Sequence, residues 1–333
     1  MNHMKNYQFL LTITLVSTSL YGEALQENTN LFNNDLVETS FLMQSRYTYD
    51  KIEHHPAVND LVIRRIETGA SLSPNQWISA NFLYIFEDIG QGSEINLLEE
   101  AYISIANSSV TPFYLNVGKM LLPFGKFDYF TAREPYTIDY GETIRRGILV
   151  GYKENGLNLG TYAFMDKNDH GNEQLDYFGV TLDYDATWDD LELSTRVSYI
   201  NDLTRAGGFM GILAEQSLQA NKTPGFGLAL SAAVDKLGFI AEYMTAGDDI
   251  AGENTKTAIL NLEASYTFEF ATAALSYIHT SEAEVADLPE NVISITLPKE
   301  IFQYTTLSFE YANIESYDKL KQDSAVLQLA IAF

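Results

Sequence analysis

The chain of 333 residues has no cysteine and only 8 prolines. Without thiols there is no disulfide framework, no thiolate chemistry and no cysteine-ligated metal, so stability must come from hydrogen bonding and burial. Beyond the N-terminus no run of about 18 or more apolar residues occurs, which excludes a transmembrane helix. Basic residues are few. Lys and Arg number 20 against 45 Asp and Glu, a formal net charge of -25. That balance excludes nucleic-acid binding, which needs basic surface.

What is abundant is aromatic: 21 Tyr and 19 Phe, with aromatics at 13% of the chain. So many aromatics with so little proline is unusual for a soluble domain, and girdles at two bilayer interfaces would account for it. At the N-terminus Lys5 precedes an apolar run from Phe9 to Val16, too short to span a bilayer. Small and polar residues follow, with a cleavage region near Gly22 or Ala24. This order reads as a secretory signal peptide over residues 1–24. Residues 25–35 are polar and too few for a folded plug. They read as a short periplasmic segment, flexible or weakly helical.

From Leu36 the dominant signal is period-two alternation in segments of about ten residues, the periodicity of strands. One pleated face is apolar and the other polar. Val37, Phe41, Met43 and Tyr47 oppose Glu38, Ser40, Gln44 and Arg46; Phe178, Val180, Leu182 and Tyr184 oppose Tyr177, Gly179, Thr181 and Asp183. Leu191, Leu193, Val197 and Tyr199 oppose Glu192, Ser194, Arg196 and Ser198. Leu260, Leu262 and Tyr266 oppose Asn261, Glu263 and Ser265, and Phe309 and Tyr311 oppose Ser308 and Glu310. A soluble sandwich alternates too, but here many apolar faces end in Tyr or Phe. Short turns (Ser73-Pro74-Asn75, Asn155-Gly156, Asp235-Lys236) also alternate with longer acidic or glycine-rich connections, the pattern of outer-membrane barrels. Counting gives about sixteen strands, at roughly nineteen residues per strand plus connection. The final segment alternates Ala325, Leu327, Leu329, Ile331 and Phe333 on one face. A last strand ending in an aromatic resembles the signal read by the barrel-assembly machinery. The expected fold is therefore an all-β, up-and-down transmembrane barrel over residues 36–333, without a plug domain, facing outer-membrane lipid and lipopolysaccharide.

A barrel of this size is expected to hold an aqueous lumen rather than a packed core. Its function then rests on inward charges and on any loop folded among them. Strand parity turns Arg46, Arg65, Glu67, Glu100 and Arg196 inward. Arg64 and Lys119 are left open, because a bulge at Gly118 would reverse the register. These charges either tune selectivity or only keep a wet lumen solvated. On parity, Arg65→Ala and Glu100→Ala should alter ion preference more than folding. The long connection from Leu121 to Arg146 contains Pro123, Gly125, Lys126, Arg133, Arg145 and Arg146 among aromatics. It is either a constriction loop folded inward or an external loop packed over the rim.

Two stretches carry a family resemblance. Leu61-Val62-Ile63-Arg64-Arg65-Ile66-Glu67-Thr68-Gly69-Ala70 resembles the paired-arginine early strand of phosphate-selective-porin-like proteins. Glu99-Glu100-Ala101-Tyr102, Val117-Gly118-Lys119-Met120 and Pro123-Phe124-Gly125-Lys126-Phe127 are closer to the LbtU-like siderophore porins of Legionella-type bacteria. This resemblance covers roughly Arg64 to Phe127. It implies a sixteen-stranded outer-membrane barrel taking part in ferric-siderophore uptake without a plug. Phosphate selectivity fits less well, because the acidic excess opposes anion attraction.

An enzyme reading finds little support. No Gly-x-Ser-x-Gly elbow surrounds His54, His55, His170 or His279. Asp166-Lys167-Asn168-Asp169 lacks the spacing of a calcium loop. No cofactor is expected. The remaining alternatives are a general or anion-selective porin and a structural or adhesion barrel without an open pore.

Overall fold

The computed structural model describes residues 36–89, 95–167, 173–207, 209–210, 213, 220–252 and 255–333. The expected signal peptide and the segment 25–35 lie outside them. Sixteen strands follow in order: β1 Val37–Ile52, β2 Val58–Asn75, β3 Ile78–Ile89, β4 Ile95–Ala106, β5 Phe113–Leu121, β6 Ile144–Glu154, β7 Leu157–Lys167 and β8 Glu173–Trp188. The second half adds β9 Leu191–Ile200, β10 Gly225–Val234, β11 Leu237–Ala246, β12 Ala258–Thr267, β13 Thr272–Ser281, β14 Asn291–Phe302, β15 Thr305–Glu315 and β16 Lys321–Ala332. Each strand pairs antiparallel with its neighbours in sequence, and β1 pairs with β16, so the barrel is closed and has no free edge.

The alternation of the sequence fixes which face points where. Phe178 is 48% exposed and Phe309 45%, whereas Asp183 and Glu310, one residue away from Leu182 and Phe309, are buried inside. Tight turns sit at one end. Between β6 and β7, Asn155 (φ 52°) and Gly156 (φ 80°) form a two-residue turn whose positive φ at both positions matches the twist of a hairpin. A Cβ on Gly156 would meet the Asp185 carbonyl oxygen at 2.0 Å. The longer connections gather at the other end, called the outer end below.

Two bulges concentrate charge in the lumen. Between β1 and β2 the register jumps from Gln44↔Arg65 to Ser45↔Ile63, leaving Arg64 as the extra residue. Between β3 and β4 it jumps from Leu83↔Glu100 to Tyr84↔Leu98, leaving Glu99 as the extra residue. An extra residue breaks the strict in–out alternation. Arg64 therefore joins Arg65 inside, and Glu99 joins Glu100.

The β4–β5 ladder is interrupted early. It ends at Ala101↔Lys119, while β4 continues with β3 to Ile95 and β5 continues with β6 to Ile144. Two side chains replace the missing rungs. Glu100 Oε1 accepts the Leu121 amide at 2.8 Å, and Lys119 Nζ donates to the Leu98 carbonyl at 2.7 Å. At the barrel's last closure, Phe41 and Phe333 exchange backbone hydrogen bonds of 2.7 and 3.0 Å.

The expectation of a uniformly wet lumen needs correction. Phe124, Tyr140, Tyr162, Phe164, Ile200 and Met244 belong to one buried apolar cluster inside the outer part of the barrel. It forms because residues 122–143, including the short helix α1 (Tyr136–Gly141), fold into the lumen and meet inward aromatics of β7. Other outer connections, through Leu203, Ala286 and Leu288, complete it. Burial of this apolar surface drives the loop inward.

Candidate functional site

The loop 122–143 is held on two sides by different chemistry. On one side, carboxylates of the barrel wall accept loop backbone amides. Glu242 on β11 receives Lys126 N at 2.6 Å and Phe127 N at 3.3 Å. Glu263 on β12 receives Phe130 N at 2.5 Å. Glu310 on β15 receives Ala132 N at 2.7 Å and Arg133 N at 3.2 Å. Phe127 carries φ 62° and Gly125 φ 87°, so the chain bends sharply where it enters this row. Arg196 on β9 adds a donor, Nη1 to the Gly125 carbonyl at 2.6 Å, while its other nitrogens grip Asp183 at 2.6 and 3.1 Å.

On the other side, arginines meet the loop. Glu134 bridges Arg64 Nη2 at 3.3 Å and Arg65 Nη1 at 3.2 Å. Arg65 also contacts Glu67, Glu87 at 3.2 Å and Glu99 at 3.6 Å. Its side chain is only 9% exposed. Arg46 donates to the Ala132 carbonyl at 2.9 Å and to Gln328 at 2.8 Å. Arg133 reaches Ser324 and Glu310, and Lys126 pairs with Asp128 and Ser231. Two acids of the loop are shifted by this environment. Burial and the repulsion of Glu134 push Asp139 up to about 6. Burial, offset by Arg65 and reinforced by Glu134, pushes Glu142 up to about 7.

Arg46, Arg64 and Arg133 line a cavity of about 210 Å³ between the loop and β13–β15, together with Glu134, Asp139 and Glu310. A second cavity, about 650 Å³, opens at the short-turn end and is lined by Tyr114, Asn116, Lys153 and Asn158.

Strand parity and the structure agree for Arg46, Arg65, Glu67, Glu100 and Arg196, and the loop bearing Lys126 and Arg133 is the inward alternative. Arg145 and Arg146 are corrected: both lie on β6, not in the loop. Arg145 points inward, to Asp166 at 3.7 Å and the Arg205 carbonyl at 3.1 Å. Arg146 is exposed and pairs across the ladder with Lys119. Lys119 is corrected too. It alternates with Val117, 44% exposed, while Met120 is buried inside, so both cations sit on the outer face of the wall. The register runs unbroken through Gly118 (φ 145°), whose missing side chain admits Tyr102: a Cβ there would meet Tyr102 Cα at 2.6 Å. Sequence reasoning missed Glu87, Glu99, Glu134 and Glu242 as partners. The signal for Glu99 was the doubled glutamate beside a strand, matching the doubled arginine. His279 faces outward and contacts Asn291 at 3.0 Å.

No family model matches the chain. Among curated proteins it is similar to a UPF0422 protein of Coxiella burnetii, 26% identical over 274 residues, covering 76% of this chain and 58% of that protein. A UPF0422 protein of Legionella pneumophila strain Paris is 21% identical over 66% of this chain and 46% of its own length. The chain thus spans about half the length of these two relatives. Among solved structures, the anion-selective porin from Comamonas acidovorans superposes with a TM-score of 0.61 at 14% identity, covering 89% of this chain and 99% of that one. Pseudomonas putida OprB gives a TM-score of 0.63 at 9% identity, over 90% and 94% of the two chains. Salmonella typhi OmpF gives 0.61 at 14% identity, over 89% and 97%. At such identities the likeness concerns architecture, and it establishes a porin-type barrel as the fold of this chain.

Proposed function

We propose that this barrel is an outer-membrane diffusion channel in which the loop 122–143 and the charges around it select what passes. The observation that carries the reading is the loop itself. It is a long connection held inside a closed barrel by backbone amides bound to three wall glutamates and by arginines bridged through Glu134. Fixed charge at a narrowing is how such pores discriminate between solutes. The excess of carboxylates around Arg64 and Arg65 favours cations and zwitterions over simple anions. No step of covalent chemistry is needed. The exported N-terminus (residues 1–24 as signal peptide) and recognition of the terminal strand by assembly machinery belong to the same reading.

The finer reading, ferric siderophore as cargo, rests on the motif resemblance between Arg64 and Phe127. It predicts a ligand too large to cross the loop unless the loop gives way. One observation favours a second reading, a barrel closed at rest: the apolar cluster fills part of the outer lumen. Single-channel conductance of refolded protein in a planar bilayer, with and without ferric siderophore on one side, separates these. Steady conductance blocked by the siderophore supports the selective channel. Conductance without block removes the siderophore and leaves a general channel. Silence removes the open-channel reading and favours the closed one.

A further inference from the structure

Tyr114 on β5 points into the lumen near the short-turn end, and its side chain lies across the neighbouring strand. Its partner in the β5–β6 ladder is Gly151, which pairs in turn with Gly160 on β7. A Cβ on Gly151 would collide with the Tyr114 ring, and one on Gly160 would come within 3.5 Å of its hydroxyl. Two glycines in adjacent strands thus form a floor on which the ring rests. The hydroxyl donates to Asn158 Oδ1 at 2.9 Å, and Asn158 Nδ2 donates to Asp183 at 2.9 Å. The ring is therefore fixed from below and at its tip, and the cavity of about 650 Å³ opens beside it. Around the ring the lining is polar with little charge. Asn116 lies two residues along the same face, about 7 Å away, next to Ser104, its partner in the β4–β5 ladder. Oδ1 of Asn116 has no hydrogen-bond partner among the described residues. Rotation of the amide exchanges Oδ1 with Nδ2, so the side chain can offer the cavity a donor or an acceptor. Ser108 adds a hydroxyl, and the charges on the lining are one of each sign, Lys153 and Glu154. The cavity beside the loop, by contrast, is lined by three arginines.

We infer that the short-turn mouth holds a binding site for a neutral sugar, one ring of which stacks on Tyr114. A pyranose has an apolar C–H face and a rim of hydroxyls that both donate and accept. The aromatic face supplies apolar contact area. The amide of Asn116 and the hydroxyls of Ser104 and Ser108 answer the rim, each able to donate and to accept. An ionic solute would find no net charge here to hold it. A cavity of about 650 Å³ is of the size that takes small molecules. Because the glycine floor and Asn158 hold the ring before any ligand arrives, little rotamer freedom is lost on binding. Asn158 acts through Tyr114 and is a positioning residue. Passage of the sugar through the barrel rests on the channel reading above. Its binding requires only that the short-turn mouth be open to solvent.

The test titrates refolded full-length protein with glucose and with maltose by ligand-observed NMR, in lauryl dimethylamine oxide, a detergent without a sugar headgroup. Folding is read from heat-modifiable gel mobility. Wild type should bind both sugars saturably. Tyr114→Leu should bind about tenfold more weakly. Tyr114→Phe keeps the ring and loses only the bond to Asn158, so its Kd should stay within about threefold of wild type. Asn116→Ala should weaken binding about fivefold. No saturable binding by wild type, or equal binding by folded Tyr114→Leu, would overturn the site. Should Tyr114→Leu fail to fold, an unchanged Kd for Asn116→Ala would do the same. A loss in Tyr114→Phe as large as in Tyr114→Leu would overturn the stacked ring. Tighter binding of gluconate or glucosamine, the anionic and cationic relatives of glucose, would overturn the neutral ligand. Conductance, measured separately, keeps the two readings apart. A silent barrel that binds glucose keeps the site and loses the channel; a conducting barrel that binds neither sugar keeps the channel and loses the site.

Discussion

The two sides of the inward loop solve one problem in opposite ways. Along β11, β12 and β15 the wall offers carboxylates and the loop answers chiefly with its backbone amides, with the Arg133 side chain adding a contact to Glu310. On β2 the wall offers Arg64 and Arg65, and the loop must answer with one particular residue, Glu134. The first side fixes where the loop runs. The second fixes what charge it presents. The amide clips do not read side chains, but Phe127, Tyr129 and Phe130 are buried and hold the path by packing, whereas a change at Glu134 would alter the arginine pair directly.

Mutations can break this contrast. Arg65→Ala should have the largest effect. It leaves Glu67, Glu87 and Glu99 crowded in a nearly dry site, a loss of about 3–5 kcal/mol in unfolding free energy. Denaturant unfolding in detergent would measure it. An unchanged midpoint would show that water reaches these acids freely. This revises the expectation from parity, which gave Arg65 a role in ion preference with little in folding. Burial behind the bulge makes it structural as well.

On the other side, Glu242→Ala orphans the amides of Lys126 and Phe127, at about 1–3 kcal/mol for each buried group left unpaired. Conductance should rise as the loop loosens. Glu242→Gln keeps an acceptor oxygen and should cost clearly less than Glu242→Ala. If the two substitutions behave alike, the carboxylate clip is not what holds the loop. Lys126→Ala should leave the loop path and its amide protection in place, since only its backbone is held by Glu242.

Acidity supplies a gentler probe. Asp139 and Glu142 sit at about 6 and about 7, above their unfolded values. The folded state thus binds more protons than the unfolded one between roughly pH 4 and 7. Their contribution favours folding at low pH and is lost as pH rises through the folded values. Amide protection in α1 should accordingly be greater at pH 5 than at pH 8, and Glu142→Gln should flatten that difference. The smallest effect belongs to Lys319→Ala. Its ammonium contacts Glu290 and Glu315 in the open at the outer rim, and removing it should leave the unfolding midpoint where it was.

Much of the architecture is legible in the residues. Period two over ten-residue runs reports a half-lipid, half-water environment, and Asn155-Gly156 reports a hairpin, because both are local consequences of side-chain chemistry. The inward parity of Arg46, Arg65, Glu67, Glu100 and Arg196 follows from the same count. What the count cannot see is a partner far away in sequence. Glu263 and Glu310 read as lumen residues, yet nothing beside them tells a glutamate facing water from one holding a backbone amide. Bulges are equally hidden. Arg64-Arg65 and Glu99-Glu100 break alternation only because each strand's neighbour skips a residue. For Lys119 the suspected irregularity at Gly118 turned out to be accommodation of Tyr102, with the ladder continuing unbroken.

The clips have a consequence for how the molecule assembles. Lys126 meets Glu242 across 116 residues of sequence, Phe130 meets Glu263 across 133, and Ala132 meets Glu310 across 178. Contacts so remote are slow to form, since the intervening chain must be ordered first. The loop is threaded early in the chain and fastened late, from β11 toward β15. It is a keystone set after the arch is standing. Extraction of the barrel from its C-terminal strand would undo the Glu310 fastening first, and the Glu242 fastening would hold longest.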